Sequence, residues 1–120
     1  MNFDVEVVLK GRDYATKESV AVEHGEPKTW NEAAVRDVLV AILQAIARVE
    51  QPDAAERAVA LRGFSWIVEP AEDKKVVIAI EIPMGAAIAG PFAIGQTQLD
   101  ALITNVLRSE RAPRVTQTIH

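Results

Sequence analysis

The sequence predicts an α+β fold in which two amphipathic helices cover one face of a mainly antiparallel sheet. Two segments repeat apolar residues with the period of a helix, and several others alternate apolar and polar residues with the period of a strand. Clusters of Gly, Pro and charged residues separate these segments and indicate turns. Because the chain has 120 residues and no shift in composition, we expect a single α+β domain over residues 1–120.

The chain begins with a predicted β-hairpin. Alternation over residues 3–9 indicates a half-buried strand, residues 11–13 can turn, and a short second strand is expected near residues 17–24. The predicted buried face of the first strand consists of Phe3, Val5, Val7 and Leu9.

The first helix is predicted over residues 29–49 and organises the rest of the fold. Thr29 and Glu32 have the spacing of a capping box, in which the two side chains satisfy backbone N–H groups at the helix start. Trp30 can act there as a hydrophobic staple. The apolar stripe of this helix contains Val35, Val38, Leu39, Ile42, Ile46 and Val49.

The second half of the chain predicts two long strands, a helix and a final strand. Strands are expected over residues 60–69 and 76–82, and residues 83–95 are expected to form a Gly- and Ala-rich apolar loop. A helix capped by Thr97 should follow, and alternation over residues 115–119 suggests a last strand. If the short second strand is left out, the order of the predicted elements is the split β-α-β arrangement of a ferredoxin-like two-layer sandwich. The short strand would add an extra N-terminal hairpin to that arrangement.

Composition excludes several functional classes. The net charge is −4, so the chain does not look like a protein that binds nucleic acid through phosphates. Residues 62–67 resemble the aromatic strand motif of RNA-recognition domains, but Glu69 stands where that motif has an aromatic residue. No apolar run is long enough to span a membrane. The chain has no Cys and two His, so we expect no metal site, no cofactor and a cytoplasmic, soluble protein.

The strand over residues 60–69 allows two interpretations. Either Phe64 and Trp66 are buried under the helices, or they point outward with Val68. In the second case they would form an apolar surface on the uncovered side of the sheet, which is typical of a partner interface. The candidate interface residues are Phe64, Trp66, Val77, Val8 and Ala79. On this basis we expect a non-enzymatic module that forms a homodimer or binds another protein.

The alternative is a cofactor-independent enzyme or small-molecule-binding protein with a pocket near residues 83–95. No catalytic residue can be assigned, because the sequence contains no recognisable nucleophile or metal motif. The candidate pocket and loop residues are Met84, Ile88, Phe92, Arg62, His24 and Trp30.

Overall fold

The computed structural model describes residues 1–53 and 59–111. It contains five strands and two α-helices: β1 (Asn2–Leu9), β2 (Thr16–Ala21), α1 (Glu32–Glu50), β3 (Ser65–Pro70), β4 (Val76–Ile82), β5 (Gly85–Phe92) and α2 (Gln96–Arg111). Short 3-10 turns occupy Pro27–Thr29 and Glu72–Lys74. No helix in the described ranges is long and apolar enough to cross a membrane.

The five strands form one open sheet in the order β2-β1-β5-β4-β3, and every neighbouring pair is antiparallel. The register places Val5 opposite Ala89, Ala89 opposite Ile78, and Ile78 opposite Val68. Residues directly opposite each other in an antiparallel sheet point to the same face. These four residues are all buried, so they mark the core face of the sheet. This architecture confirms the α+β class and the mainly antiparallel sheet.

The ferredoxin-like arrangement is not confirmed. Residues 83–95 were expected to form a loop, but most of them form β5, which lies between β1 and β4. The final strand predicted over residues 115–119 lies outside the described residues. The loop expectation was wrong because Ala and Gly have low strand propensity, whereas β5 is stabilised by neighbours on both sides.

The core joins apolar side chains from both helices to one face of the sheet. Helix α1 packs against β1, β2 and α2, and α2 packs against β3. Phe92 is fully buried at the centre of an aromatic cluster. Its ring lies 5.1 Å from the ring of Phe3 and 5.2 Å from that of Trp30, both in edge-to-face geometry. Two of the candidate pocket residues, Phe92 and Trp30, are therefore part of the core.

Helix α1 begins two residues later than the capping-box prediction required. Its N-cap is Asn31, whose side-chain oxygen accepts a hydrogen bond from the backbone N–H of Ala34 at 2.9 Å. The hydroxyl of Thr29 instead donates to the carbonyl of Glu26 at 2.7 Å. The capping-box prediction was wrong because residues 27–29 form a 3-10 turn of their own, which starts at Pro27.

Strand β3 begins at Ser65, five residues later than expected, and its orientation decides between the two interpretations of residues 60–69. Val68 is buried, and Phe64 and Trp66 are half-buried against the core. Ile67 points to the opposite side and is 53% exposed. The outward placement of Phe64, Trp66 and Val68 was therefore wrong, because the strand turns its largest side chain and Val68 towards the helices.

Candidate functional site

The side of the sheet opposite the core carries a group of exposed apolar side chains. We call this side the outer face. The large members of the group are Val8, Ile67 and Ile88, whose exposed fractions are 41%, 53% and 50%. Val77, Ala79 and Ala86 lie beside them. These six residues are called the outer patch below.

Strand register brings the outer patch together from four strands. Ala79 of β4 lies opposite Ile67 of β3 on one side and opposite Ile88 of β5 on the other. Ala86 lies opposite Val8 of β1 in the next row. The two small Ala side chains leave a shallow depression of about 330 Å³ between the larger ones. The outer patch is therefore concave at its centre, a shape that can receive an apolar side chain from elsewhere.

Acidic residues border the outer patch. Glu6 lies opposite Ile88, Glu69 opposite Val77, and Glu81 opposite Ala86. Asp4 lies on the same face of β1, and Lys17 of β2 lies opposite Glu6. All five of these charged side chains are exposed. Four carboxylates against one ammonium group make this part of the border acidic, while Lys10 and Arg12 lie near Val8 at the end of the sheet.

A second concave region lies where two hairpin turns meet the segment that enters β3. This region, called the turn cleft below, has a volume of about 800 Å³. Its cationic side is formed by Lys10 and Arg12, and its apolar side includes the exposed Val8 and the half-buried Phe64 and Ile82. The cleft shares Ser65, Glu81 and Ala86 with the depression in the outer patch. The two regions are thus continuous.

Close backbone packing forms the wall between the two hairpins. The backbone N–H of Lys10 donates to the carbonyl of Met84 at 2.8 Å. A Cβ atom on Gly85 would lie 2.9 Å from the Cα atom of Leu9, so only glycine allows β1 and β5 to approach this closely. The turn cleft is therefore bounded by hydrogen-bonded backbone.

The candidate residues from the sequence fall in several different places. Val8, Val77, Ala79 and Ile88 belong to the outer patch, and Phe64 lines the turn cleft. Met84 is exposed in the turn between β4 and β5.

The remaining polar candidates lie apart from both regions. The Nε2 atom of His24 lies 2.8 Å from the Oδ2 atom of Asp37 on α1. Arg62 borders a separate cavity of about 370 Å³ beside Glu110. The structure therefore does not bring His24 and Arg62 together with the segment 83–95.

Sequence reasoning missed several residues of both regions. Alternation left the face of Ile67 undecided, and Ala86 was assigned to a loop. Lys10 and Arg12 flank Gly11, whose positive φ of 88° is typical of a turn. In the sequence, the turn cleft is indicated only by a cation on each side of a turn glycine. This pattern does not show which other segment of the chain forms the opposite side of the cleft.

The described residues contain no cluster of three His, Asp or Glu side chains that could hold a metal ion. In structural terms the chain is an α+β protein with an open antiparallel sheet, one face of which is exposed and partly apolar. No family model, curated protein or solved structure matches it. Its function has to be argued from the outer patch and the turn cleft.

Proposed function

We propose that this chain is a non-enzymatic protein-interaction module whose outer patch binds an apolar surface of another protein. The observation that carries the proposal is the alignment of Ile67, Ala79 and Ile88 across three adjacent strands, with both isoleucines at least half exposed. Contiguous exposed apolar patches are typical of interaction surfaces. Burial of the two isoleucines in a complex would provide favourable transfer free energy.

The charges around the outer patch specify the chemistry of the partner. Glu6, Glu69 and Glu81 would remain at the rim of an interface centred on Ile88 and Ala79. A partner with lysine or arginine around its apolar centre would complement these carboxylates and associate faster. Two copies of this face would instead bring carboxylates together. We therefore propose a partner with a basic rim, and place the homodimer expected from the sequence second.

The proposal can be tested with a designed β-hairpin peptide that has one apolar face bordered by lysines. We expect it to bind the chain in an NMR titration, with amide shifts in β4 and β5. The same hairpin bordered by glutamates should bind at least about tenfold more weakly, because it repels the rim. Affinity for the lysine hairpin should fall as salt is raised, since salt screens exposed charges.

Two variants distinguish binding at the outer patch from non-specific binding. Ile67→Asp introduces a carboxylate in the outer patch and should abolish hairpin binding without unfolding the protein. Tyr14→Asp is the matched control, because Tyr14 is 55% exposed in the β1–β2 turn and lies outside the patch. Equal binding of the lysine hairpin by both variants would contradict the proposal. Light scattering could instead show that the wild type is a dimer and that Ile67→Asp is a monomer. That result would mean that the outer patch binds a second copy of this chain rather than a basic partner.

A second candidate function is small-molecule binding, which the turn cleft favours. The cleft is open and shallow, and its volume of about 800 Å³ leaves room for a small molecule. Pro83, Gly85 and Ala86 from the segment 83–95 line it, whereas none of the six candidate pocket residues does. A thermal-shift screen tests this function, because a ligand of the native state raises the melting temperature.

We also propose a cytoplasmic location, on the basis of a chain without cysteine. Fractionation of cells that express a tagged chain would test this location independently of either binding function.

A further inference from the structure

Two cations of the turn cleft have no carboxylate partner among the described residues. Within the described ranges, neither Lys10 nor Arg12 forms an ion pair, whereas Arg36 is held by Glu110 at 2.9 Å. Both cations are exposed and border the turn cleft. The chain as a whole carries a net charge of −4, so this is a local excess of positive charge in an acidic protein. An anion can therefore approach Lys10 and Arg12 without displacing an existing partner.

Both cations are attached to an ordered framework. The guanidinium carbon of Arg12 lies 5.7 Å from the centroid of the Tyr14 ring, a cation–π distance that leaves its N–H donors available. The backbone of Lys10 is held by its hydrogen bond to Met84, which joins the two hairpins. The backbone N–H of Arg12 likewise donates to the carbonyl of Leu9 at 3.0 Å. Because the backbone around both residues is held by hydrogen bonds, less backbone entropy is lost when a ligand binds.

The remainder of the cleft suits the uncharged part of a ligand. Val8, which is 41% exposed, and the half-buried Phe64 and Ile82 provide an apolar wall beside the cations. The cleft then continues through Ser65, Glu81 and Ala86 into the depression of the outer patch. A bound molecule could thus extend from a polar end to an apolar end. The carboxylate of Glu81 at the junction would repel negative charge there, so the anionic group has to lie at the opposite end.

From this polarity we infer that the turn cleft binds an amphipathic organic anion. Its carboxylate or phosphate group contacts Lys10 and Arg12, and its aliphatic body lies along the apolar wall towards the outer patch. The inference rests on the second proposed function, small-molecule binding, and specifies the class of ligand. It does not require the protein-interaction proposal, which does not involve Lys10 or Arg12, but the two binding surfaces share Val8 and Ala86.

The test uses sodium decanoate below its micellar concentration as the probe, followed by NMR of the backbone amides. We expect saturable shifts at residues 10–12, 63–65 and 85–86. Decyltrimethylammonium has the same tail and the opposite charge, and should bind at least about tenfold more weakly because Lys10 and Arg12 repel it. Butyrate should also bind at least about tenfold more weakly, because it buries much less apolar surface.

The double variant Lys10→Gln/Arg12→Gln should weaken decanoate binding about tenfold. The control is Lys28→Gln/Arg108→Gln, which removes two exposed cations that do not line the cleft and should bind decanoate like the wild type.

Several outcomes would overturn the inference. They are unchanged affinity in Lys10→Gln/Arg12→Gln, equal binding of the decyl cation and decanoate, and shifts confined to another region. If uncharged decanol bound as tightly as decanoate, the preference for an anion would also be refuted. The turn cleft would then still be a small-molecule site. Failure of all these probes, decanol included, would overturn both the inference and the small-molecule function. The hairpin experiment would still decide the protein-interaction proposal.

Discussion

Replacement of Phe92 by alanine tests whether the segment once expected to be a loop is part of the core. Phe92 is completely buried on β5, and its ring contacts those of Phe3 and Trp30. Truncation of a buried Phe to Ala costs about 3–5 kcal/mol. Each edge-to-face pair accounts for about 0.5–1.5 kcal/mol beyond area burial. We therefore expect Phe92→Ala to lower the free energy of unfolding by about 4 kcal/mol.

Urea unfolding followed by circular dichroism measures this change. With a slope of about 2 kcal/mol/M, a loss of about 4 kcal/mol lowers the midpoint by roughly 2 M. Domains of this size are stable by only about 5–15 kcal/mol, so Phe92→Ala can leave too little folded protein for the measurement. Phe92→Leu retains most of the volume and should cost about 1–2 kcal/mol, which keeps the prediction measurable.

Ile88→Ala is the matched control for this experiment. Ile88 lies on the same strand but is half exposed on the outer face, so its truncation should change the free energy of unfolding by less than about 0.5 kcal/mol. The reasoning would be refuted if Phe92→Ala and Ile88→Ala had equal effects. It would also be refuted if Phe92→Leu were as stable as the wild type. Either result would mean that the Phe92 ring is not packed in the core.

Two further predictions concern local structure. Asn31→Ala should lower the free energy of unfolding by about 1 kcal/mol because it removes the N-cap of α1, whereas Thr29→Ala should cost less than about 0.5 kcal/mol. Urea midpoints of the two variants measure the difference, and a larger effect at Thr29 would restore the capping-box interpretation. Gly85→Ala should cost more than about 2 kcal/mol, because its Cβ would collide with the backbone of β1. Gly11→Ala meets no atom within 4 Å and should cost only about 1 kcal/mol, from its positive φ. Thermal unfolding would rank these two, and equal melting temperatures would rule out the close approach of β1 and β5.

The sequence was most informative for elements whose apolar residues repeat with the period of a helix or a strand within one segment. Both helices were predicted to start close to their observed first residues, because a stripe of apolar residues repeats every three or four positions. The alternation of β1 and β4 also correctly indicated their buried faces. In these elements the pattern is a direct consequence of burial on one side.

The site was much less predictable, because it depends on which strands are neighbours. The outer patch needs Ala79 of β4 between Ile67 of β3 and Ile88 of β5, and the turn cleft needs two hairpins to meet. Nothing in the local sequence of β5 distinguishes a strand from an apolar loop, since its small residues fit either. Likewise, both faces of residues 60–69 carry apolar side chains, so alternation alone could not select the buried one.

Local sequence thus determined where the helices and the regular strands lie and which of their faces seek burial, because these properties depend on spacing along one segment. Tertiary structure alone decided that β5 fills the gap between β1 and β4, that Trp66 turns inward, and that Ile67 and Ile88 share an exposed surface. These outcomes depend on pairing between segments distant in the chain. The free energy of such pairing comes from contacts that no single segment contains.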